Sequence, residues 1–84
     1  MDDAIARDAR QLGAIIRRAR RQRKLTQGQL GTRMNVRQAT VSTLEEGSSG
    51  TSLKTLLDAL SALDLELVVR TRSKGDVQEF EDMF

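Results

Sequence analysis

The chain has 84 residues and a net charge of +2, with no Cys and no His. A chain of this length buries only about 60–65% of its unfolded surface, so it has room for one domain with a modest core, and dimerisation is expected on grounds of stability. Without thiols or imidazoles it offers no disulfide framework, no zinc site of the usual kind and no histidine base, so we expect neither enzyme activity nor a cofactor.

The charge is distributed unevenly along the chain. Residues 1–44 carry ten Arg or Lys against three Asp, a net charge of +7, whereas residues 45–84 carry four basic against nine acidic residues, a net charge of −5. A basic half favours a surface that faces nucleic acid, although charge runs are also typical of solvated faces. No apolar run approaches the roughly 18 residues of a membrane span, and the acidic start differs from a signal peptide, so a cytoplasmic protein is expected.

The first predicted element is an amphipathic helix that begins at Ile5 or Asp8 and ends at Arg23. Its apolar residues recur at steps of four and three, the spacing of one helix face: Ile5, Ala9, Leu12, Ile16 and Ala19. The opposite side carries Arg10, Arg17, Arg18 and Arg21. These arginines either form a solubilising surface or, for Arg17 and Arg18, contact DNA phosphates beside a groove.

Two short helices joined by a tight turn are predicted next, a helix-turn-helix. Thr26 and Gln29 have the spacing of a capping box, so the first of the two should begin at Thr26. Asn35 tolerates the left-handed backbone of a turn. The apolar residues after it repeat at helical spacing: Val36, Val41 and Leu44. The outward side is rich in side chains that bond bases or phosphates, which makes this second helix the candidate recognition helix: Arg37, Gln38, Ala39, Thr40, Ser42 and Thr43.

A loop and a fourth helix follow. The loop is the Gly/Ser run that ends the recognition helix, and Thr51 or Ser52 can cap the helix after it. The leucines of that helix form a stripe: Leu53, Leu56, Leu57, Leu60 and Leu63. We expect this stripe to close the core, although its end could also meet a second subunit.

From Leu65 onward the period of the pattern changes to two, which indicates a strand with Leu65, Leu67 and Val69 on one face. A single strand cannot satisfy its own backbone groups, and no second strand is visible in the sequence. The simplest expectation is therefore pairing with the same strand of another copy, which would place these three residues at a dimer interface. The alternative is an irregular extension packed on the fourth helix. The acidic tail, residues 73–84, is expected to be disordered, to dock on a partner or to be recognised by a protease.

Residues from about Leu12 to Leu63 resemble the Cro/C1 repressor-type (XRE) helix-turn-helix family. The matching positions are Leu25-Thr26-Gln27, Leu30-Gly31, Val36, Val41-Ser42 and Glu45. The family usually has Ala where this chain has Gly31 and Gly where it has Asn35, and both differences are physically allowed. Residues 37–42 and the predicted strand are similar to HipB-type antitoxins, which repress their own operon and hold a HipA-type kinase toxin.

The resemblance implies two roles near the helix-turn-helix. Arg20 would pair with Glu45 in a structural ion pair that orients one helix against another. Gln27 would contact a phosphate, in agreement with its place in the first turn of a helix, where backbone N–H groups attract anions.

The remaining contacts are expected from side-chain chemistry. Gln38 can donate and accept at once, which suits adenine N7 and N6 in the major groove. Ala39 can touch a thymine methyl, and Thr43 can reach another base edge. Arg37 and Thr40 suit phosphates.

These observations predict a mainly α fold: a four- to five-helix, lambda-repressor-like helix-turn-helix domain over residues 5–72, with a C-terminal strand paired across a dimer. The expected function is a repressor that autoregulates its operon and acts as an antitoxin, in the cytoplasm at the bacterial nucleoid. The expected partners are a palindromic double-stranded operator, a second copy of the chain and a HipA-type kinase toxin. A stand-alone phage or metabolic repressor and a protein-only adaptor are the alternatives.

Overall fold

The computed structural model describes residues 3–72. Over these residues the chain forms four helices and no strand: α1 (Ala9–Gln22), α2 (Gln27–Met34), α3 (Gln38–Glu46) and α4 (Leu53–Ala62). The mainly helical fold is therefore confirmed. The acidic tail predicted at residues 73–84 lies outside the described residues.

Helix α1 begins at the later of its two predicted starts because Asp8 caps it. The Asp8 side chain accepts a hydrogen bond from the backbone N–H of Gln11, while its own backbone is extended. Ile5 therefore precedes the helix and is 53% exposed, so it does not extend the apolar stripe. Ala9, in the first turn, is exposed as well. The face of α1 that reaches the interior is Gly13, Ile16, Ala19 and Arg20.

Helix α2 has the predicted ends. The backbone N–H of Gln29 donates to Thr26 Oγ1 over 3.0 Å, and the Gln29 side chain accepts from the backbone N–H of Thr26 over 2.8 Å, which completes the capping box. Asn35 closes the helix with a φ of 59°, in the left-handed region.

Helix α3 begins without a side-chain cap. Its N-cap is Arg37, which makes no capping hydrogen bond. This agrees with a sequence that has no Ser, Thr, Asp or Asn at that position. Val36 lies in the turn before α3 rather than in the helix, and it packs half-buried against the core.

The core lies where the four helices meet. Helices α2 and α3 pack against each other, α1 lies on α3, and α4 lies on α2. The buried apolar residues come from every helix and from the residue that ends α4: Ile16, Ala19, Leu30, Met34, Val41, Leu44, Ala59, Leu60 and Leu63. Because α2 and α3 are only two turns long, they depend on this packing rather than on helix propensity.

Only part of the predicted leucine stripe of α4 lies in the core. Leu60 and Leu63 are buried, and Ala59 joins them. Leu53 and Leu57 are 65% and 43% exposed, so the stripe is not buried as a whole. Ala59 and Leu60 lie on the same helix face as Leu56, one turn further along the helix. Leu53 and Leu57 lie at the side of this face, where α4 meets solvent.

Residues 65–72 form no strand in the single chain. Leu65 is tied to the end of α4 by a hydrogen bond from its backbone N–H to the Leu60 carbonyl. Beyond it, exposure rises to 52% at Leu67 and 91% at Val69. A strand needs a partner for its backbone, so pairing across a dimer stays a prediction.

Gly13 allows α1 to pack directly on the end of α3. A Cβ at Gly13 would lie 2.5 Å from the carbonyl oxygen of Glu45 and 2.7 Å from that of Leu44. These are backbone atoms, so the two helices would have to separate to admit a methyl group.

We expect Gly13→Ala to lower the free energy of unfolding by about 1–3 kcal/mol through this overpacking, although Ala is the better helix former. Gly28 is the matched control, because a Cβ there meets only the Thr26 hydroxyl at 3.8 Å. Gly28→Ala should therefore stabilise the domain by about 0.5–1 kcal/mol. Urea unfolding followed by circular dichroism measures the stability of both variants. Equal unfolding midpoints for the two variants would contradict the close packing of α1 on α3.

Candidate nucleic-acid interface

Five of the side chains expected to contact DNA belong to α3 or to Arg37, its N-cap. Arg37, Gln38 and Ala39 are exposed, and Thr40 and Thr43 are half-buried. The other side of the same helix, with Val41, Leu44 and Glu45, is buried against α1 and α2. One face of α3 is therefore free to enter a groove while the opposite face holds the helix in place.

Arg20 and Glu45 form a salt bridge between α1 and α3. Arg20 Nε donates to Glu45 Oε2 over 2.6 Å, and Nη2 donates to Oε1 over 3.0 Å. The two side chains are only 9% and 2% exposed. The remaining guanidinium nitrogen, Nη1, donates to the carbonyl of Leu25 over 2.8 Å. The hydrogen bonds that Arg20 donates to Glu45 raise the pKa of Arg20 above its ordinary value, against the opposing effect of burial.

Hydrogen bonds continue from this salt bridge to the surface of α3. Gln27 Nε2 donates to Glu45 Oε1 over 3.2 Å, and Gln38 Nε2 donates to Gln27 Oε1 over 3.3 Å. Gln27, which we expect to contact a phosphate, is thus hydrogen-bonded to Gln38, which we expect to contact a base. Neither contact was predicted from the sequence, because the partners lie 18 and 11 residues apart and share no periodic pattern.

A groove between α1 and α3 adjoins these residues. It has a volume of about 690 Å³ and is bounded by Gln27, Ser42 and Glu46 on the side of α2 and α3. The arginines of α1 lie along its other wall: Arg10, Arg17, Arg18 and Arg21. Arg17 and Arg18 therefore lie beside α3. Arg10 and Arg21 were not predicted as site residues, although their spacing of seven and four from Arg17 places all three on one helix face.

A second groove lies between the two ends of the described chain. It has a volume of about 600 Å³, and residues 3–7 and 64–72 form its walls, with Leu12, Ile15 and Leu60 between them. The predicted dimer residues Leu65, Leu67 and Val69 all line it. Leu65 is half-buried, and the other two are exposed.

Two other features were sought among the described residues. No group of acidic side chains within residues 3–72 could hold a metal ion. No helix in that range is long and apolar enough to cross a membrane.

Comparison with known proteins agrees with this geometry. The family model for the helix-turn-helix matches residues 16–69. A structure described as a complex of a HipB variant with an O2 20mer is 25% identical, with a TM-score of 0.79, over 86% of this chain and all of that one. A HipB–O4 20mer complex has a TM-score of 0.78, and a HipA–HipB–O2–O3 complex has a TM-score of 0.77, each at 25% identity over 84% of this chain and all of the other.

A search of curated proteins found no significant match. The family match nevertheless covers well over half of the chain, and it includes α2, the turn and α3. The resemblance inferred from Thr26, Val36 and Glu45 is confirmed. The chain therefore belongs to the Cro/C1-type helix-turn-helix family of DNA-binding domains.

Proposed function

We propose that this protein is a homodimeric, sequence-specific repressor that acts as the antitoxin of a HipA-type kinase toxin and autoregulates its operon. The observation that carries the proposed DNA binding is the exposed face of α3, where the Gln38 side chain donates a hydrogen bond to Gln27. The fold likeness to HipB, in structures that include a HipA–HipB–O2–O3 complex, supports the antitoxin part.

Base readout is assigned to the exposed end of α3. Gln38 bonds adenine through N7 and N6, Ala39 lies against a thymine methyl, and Thr43, one turn further, reaches a neighbouring base edge. All three keep some solvent exposure in the free chain.

Phosphate contacts surround this readout. Gln27 and its backbone N–H lie in the first turn of α2, where N–H groups have no acceptor within the helix. Arg37 and Thr40 flank Gln38, and Arg17 and Arg18 extend the basic surface along α1. This distribution matches the charge of +7 on the first 44 residues, counted as ten basic against three acidic.

Dimerisation is assigned to the C-terminal segment. Leu67 and Val69 expose 52% and 91% of their surface, which is costly in a small domain unless a partner covers them. Pairing of two such segments would satisfy their backbone groups and set two recognition helices about 34–36 Å apart, one turn of DNA, or a multiple of it. Residues 5–72 would then be the complete DNA-binding and dimerisation unit, acting in the cytoplasm at the nucleoid.

The test of base readout is a pair of substitutions on α3. Gln38→Ala should weaken binding to the operator by about 1–3 kcal/mol and relax the preference at one base pair in each half-site. Arg37→Ala should instead weaken operator and random DNA alike, with the salt slope reduced by about one. Titrations across salt concentrations with matched and mutated operators distinguish the two.

If Gln38→Ala weakens every sequence equally, α3 does not read bases through Gln38. If the wild-type protein shows no salt-dependent DNA binding, the helix-turn-helix serves protein contact instead. Both variants change exposed side chains, so unchanged circular dichroism is the control for folding.

A further inference from the structure

We propose that the acidic tail, residues 73–84, docks in the groove between α1 and α3 of its own chain and competes there with DNA for the arginines of α1. The tail is then a built-in competitor, which DNA displaces when it binds. The inference rests on the proposed DNA binding of this surface. One of the two experiments below detects docking without DNA, so the failure of the inference is distinguishable from the failure of the proposed function.

The occupant favoured by this groove is an anion. Four arginines of α1 line it, and all four are exposed: Arg10, Arg17, Arg18 and Arg21. None of the four forms an ion pair with another residue of the range 3–72. Of the two carboxylates on the walls, Glu45 is paired with Arg20 and Glu46 is exposed, so the lining keeps a net charge of +3, counted as four Arg against Glu46. Arginines one helical turn apart repel one another, and an anionic segment relieves that repulsion.

The tail carries the complementary charge. Residues 73–84 have a net charge of −3, with one Lys against four carboxylates: Asp76, Glu79, Glu81 and Asp82. Carboxylates bind guanidinium groups through charge-assisted, often bidentate hydrogen bonds. Both aromatic residues of the chain, Phe80 and Phe84, lie in the same stretch, and guanidinium groups also stack on aromatic rings. The tail therefore contains two kinds of side chain that an arginine-lined groove binds.

The tail is long enough to reach the whole groove. Thr71 and Arg72, which end the described range, line the second groove together with residues 3–7. Those N-terminal residues lead directly into α1, where Arg10 lies in the first turn. The distance along α1 from Arg10 to Arg21 is about 16 Å, at about 1.5 Å per residue. The twelve residues of the tail span up to about 40 Å when extended, so no part of the domain has to move for the tail to lie along the arginines.

Attachment to the domain compensates for the weakness of the individual contacts. Exposed ion pairs are weak, so the tail as a separate peptide would bind poorly. A segment joined to its binding site by a few residues has an effective concentration on the order of millimolar, however, which allows docking that is partial and reversible. DNA of any sequence has to displace the tail, so the affinities for operator and random DNA are lowered by the same factor. For a tail that occupies the groove about 70–90% of the time, this factor is about threefold to tenfold.

Neutralising the tail in the full chain tests the competition with DNA. The variant Asp76→Asn/Glu79→Gln/Glu81→Gln/Asp82→Asn keeps the sizes of the side chains and removes their four charges. At low salt it should bind both the operator and random DNA about threefold to tenfold tighter than the wild type does. The gain should shrink as added salt screens the docking. The ratio of the two affinities should not change, because the tail competes equally with both DNAs.

The matched control replaces four carboxylates that do not line the groove by their amides: Asp3, Asp58, Asp64 and Glu66. It changes the net charge by the same amount, so it measures the gain in DNA affinity that comes from long-range charge alone. A larger gain in the tail variant than in the control supports docking. A gain in the tail variant no larger than that of the control, with unchanged circular dichroism in both, would overturn the inference.

A spin label on the tail detects docking without DNA. The chain has no Cys, so Gln78→Cys gives a single attachment site between the acidic residues. In nuclear magnetic resonance spectra of the full chain, the label should broaden the backbone amide signals of α1 from Arg10 to Arg21. It should broaden those of Lys54 and Asp58 less, because α4 does not line the groove. Neutralising the four carboxylates of the tail should remove the broadening along α1.

The two measurements separate the two hypotheses. Broadening along α1 that is no stronger than along α4, or that survives neutralisation of the tail, contradicts the inference whatever the protein does with DNA. If the broadening depends on the tail charges but the protein shows no salt-dependent DNA binding, docking of the tail stands. The proposed DNA binding and the competition built on it are then overturned together.

Discussion

Replacing Glu45 by Ala is expected to lower the free energy of unfolding by about 3–5 kcal/mol, because Arg20 would remain buried without its carboxylate. The Arg20 side chain is 9% exposed, and two of its nitrogens bond Glu45. Small domains have a total stability of about 5–15 kcal/mol, so a loss of this size would leave much of the protein unfolded near 37 °C. Urea unfolding followed by helical circular dichroism measures the effect.

The exposed salt bridge of α4 provides the matched control. Lys54 Nζ lies 2.7 Å from Asp58 Oδ2, but the two side chains are 84% and 39% exposed. Asp58→Ala should change the stability by no more than about 0.5 kcal/mol, as is usual for exposed pairs one helical turn apart. If Glu45→Ala unfolds at the same urea concentration as Asp58→Ala, the buried pair does not hold α1 against α3.

Val69→Asp should convert the proposed dimer to a monomer without loss of helix. Val69 is 91% exposed in the single chain, so Asp meets no steric barrier there, and the helical core has no contact to lose. In a paired sheet, however, the new charge would lie in the apolar contact between two copies. Operator affinity should fall by about 10²-fold or more, because each half-site would then bind independently.

Val68→Asp is the control for charge. It adds the same carboxylate one residue away, at a position that is 69% exposed and on the opposite side of an alternating strand. Light scattering should show a dimer for Val68→Asp and a monomer for Val69→Asp. A dimeric mass for both variants would mean that the C-terminal segment is not the interface.

The ends of α2 were predictable because local side chains decide them. Thr26 and Gln29 bond each other's backbone N–H groups three residues apart, and Asn35 accepts the left-handed turn by itself. The uncapped start of α3 at Arg37 was predictable for the same reason. The start of α1 was ambiguous, because the apolar period extends back to Ile5 whereas the capping residue is Asp8. The cap determined the start, since its hydrogen bond is made within the helix and needs no packing partner.

The burial of individual leucines was not predictable from their period. Leu53 and Leu57 fit the helical stripe as well as Leu60 does, yet they are exposed. A stripe of this width spans more surface than α2 can cover, and which part is covered depends on how α4 is rotated when it docks. That rotation is set by the shapes of both helices, which no single window of sequence contains.

The sequence by itself therefore determined the helix-turn-helix, the uneven charge along the chain and the polar side chains that α3 exposes, because these depend on spacings of three to eight residues and on side-chain chemistry. Only the tertiary structure showed that Gln27 links Gln38 to the expected pair of Arg20 and Glu45. Arg20, Gln27, Gln38 and Glu45 come from three helices and form one run of hydrogen bonds only after α1 and α2 pack around α3. The reason is physical: hydrogen-bond partners at distances near 3 Å are selected by the relative placement of whole helices, and the core that sets this placement is built from residues far apart in the chain.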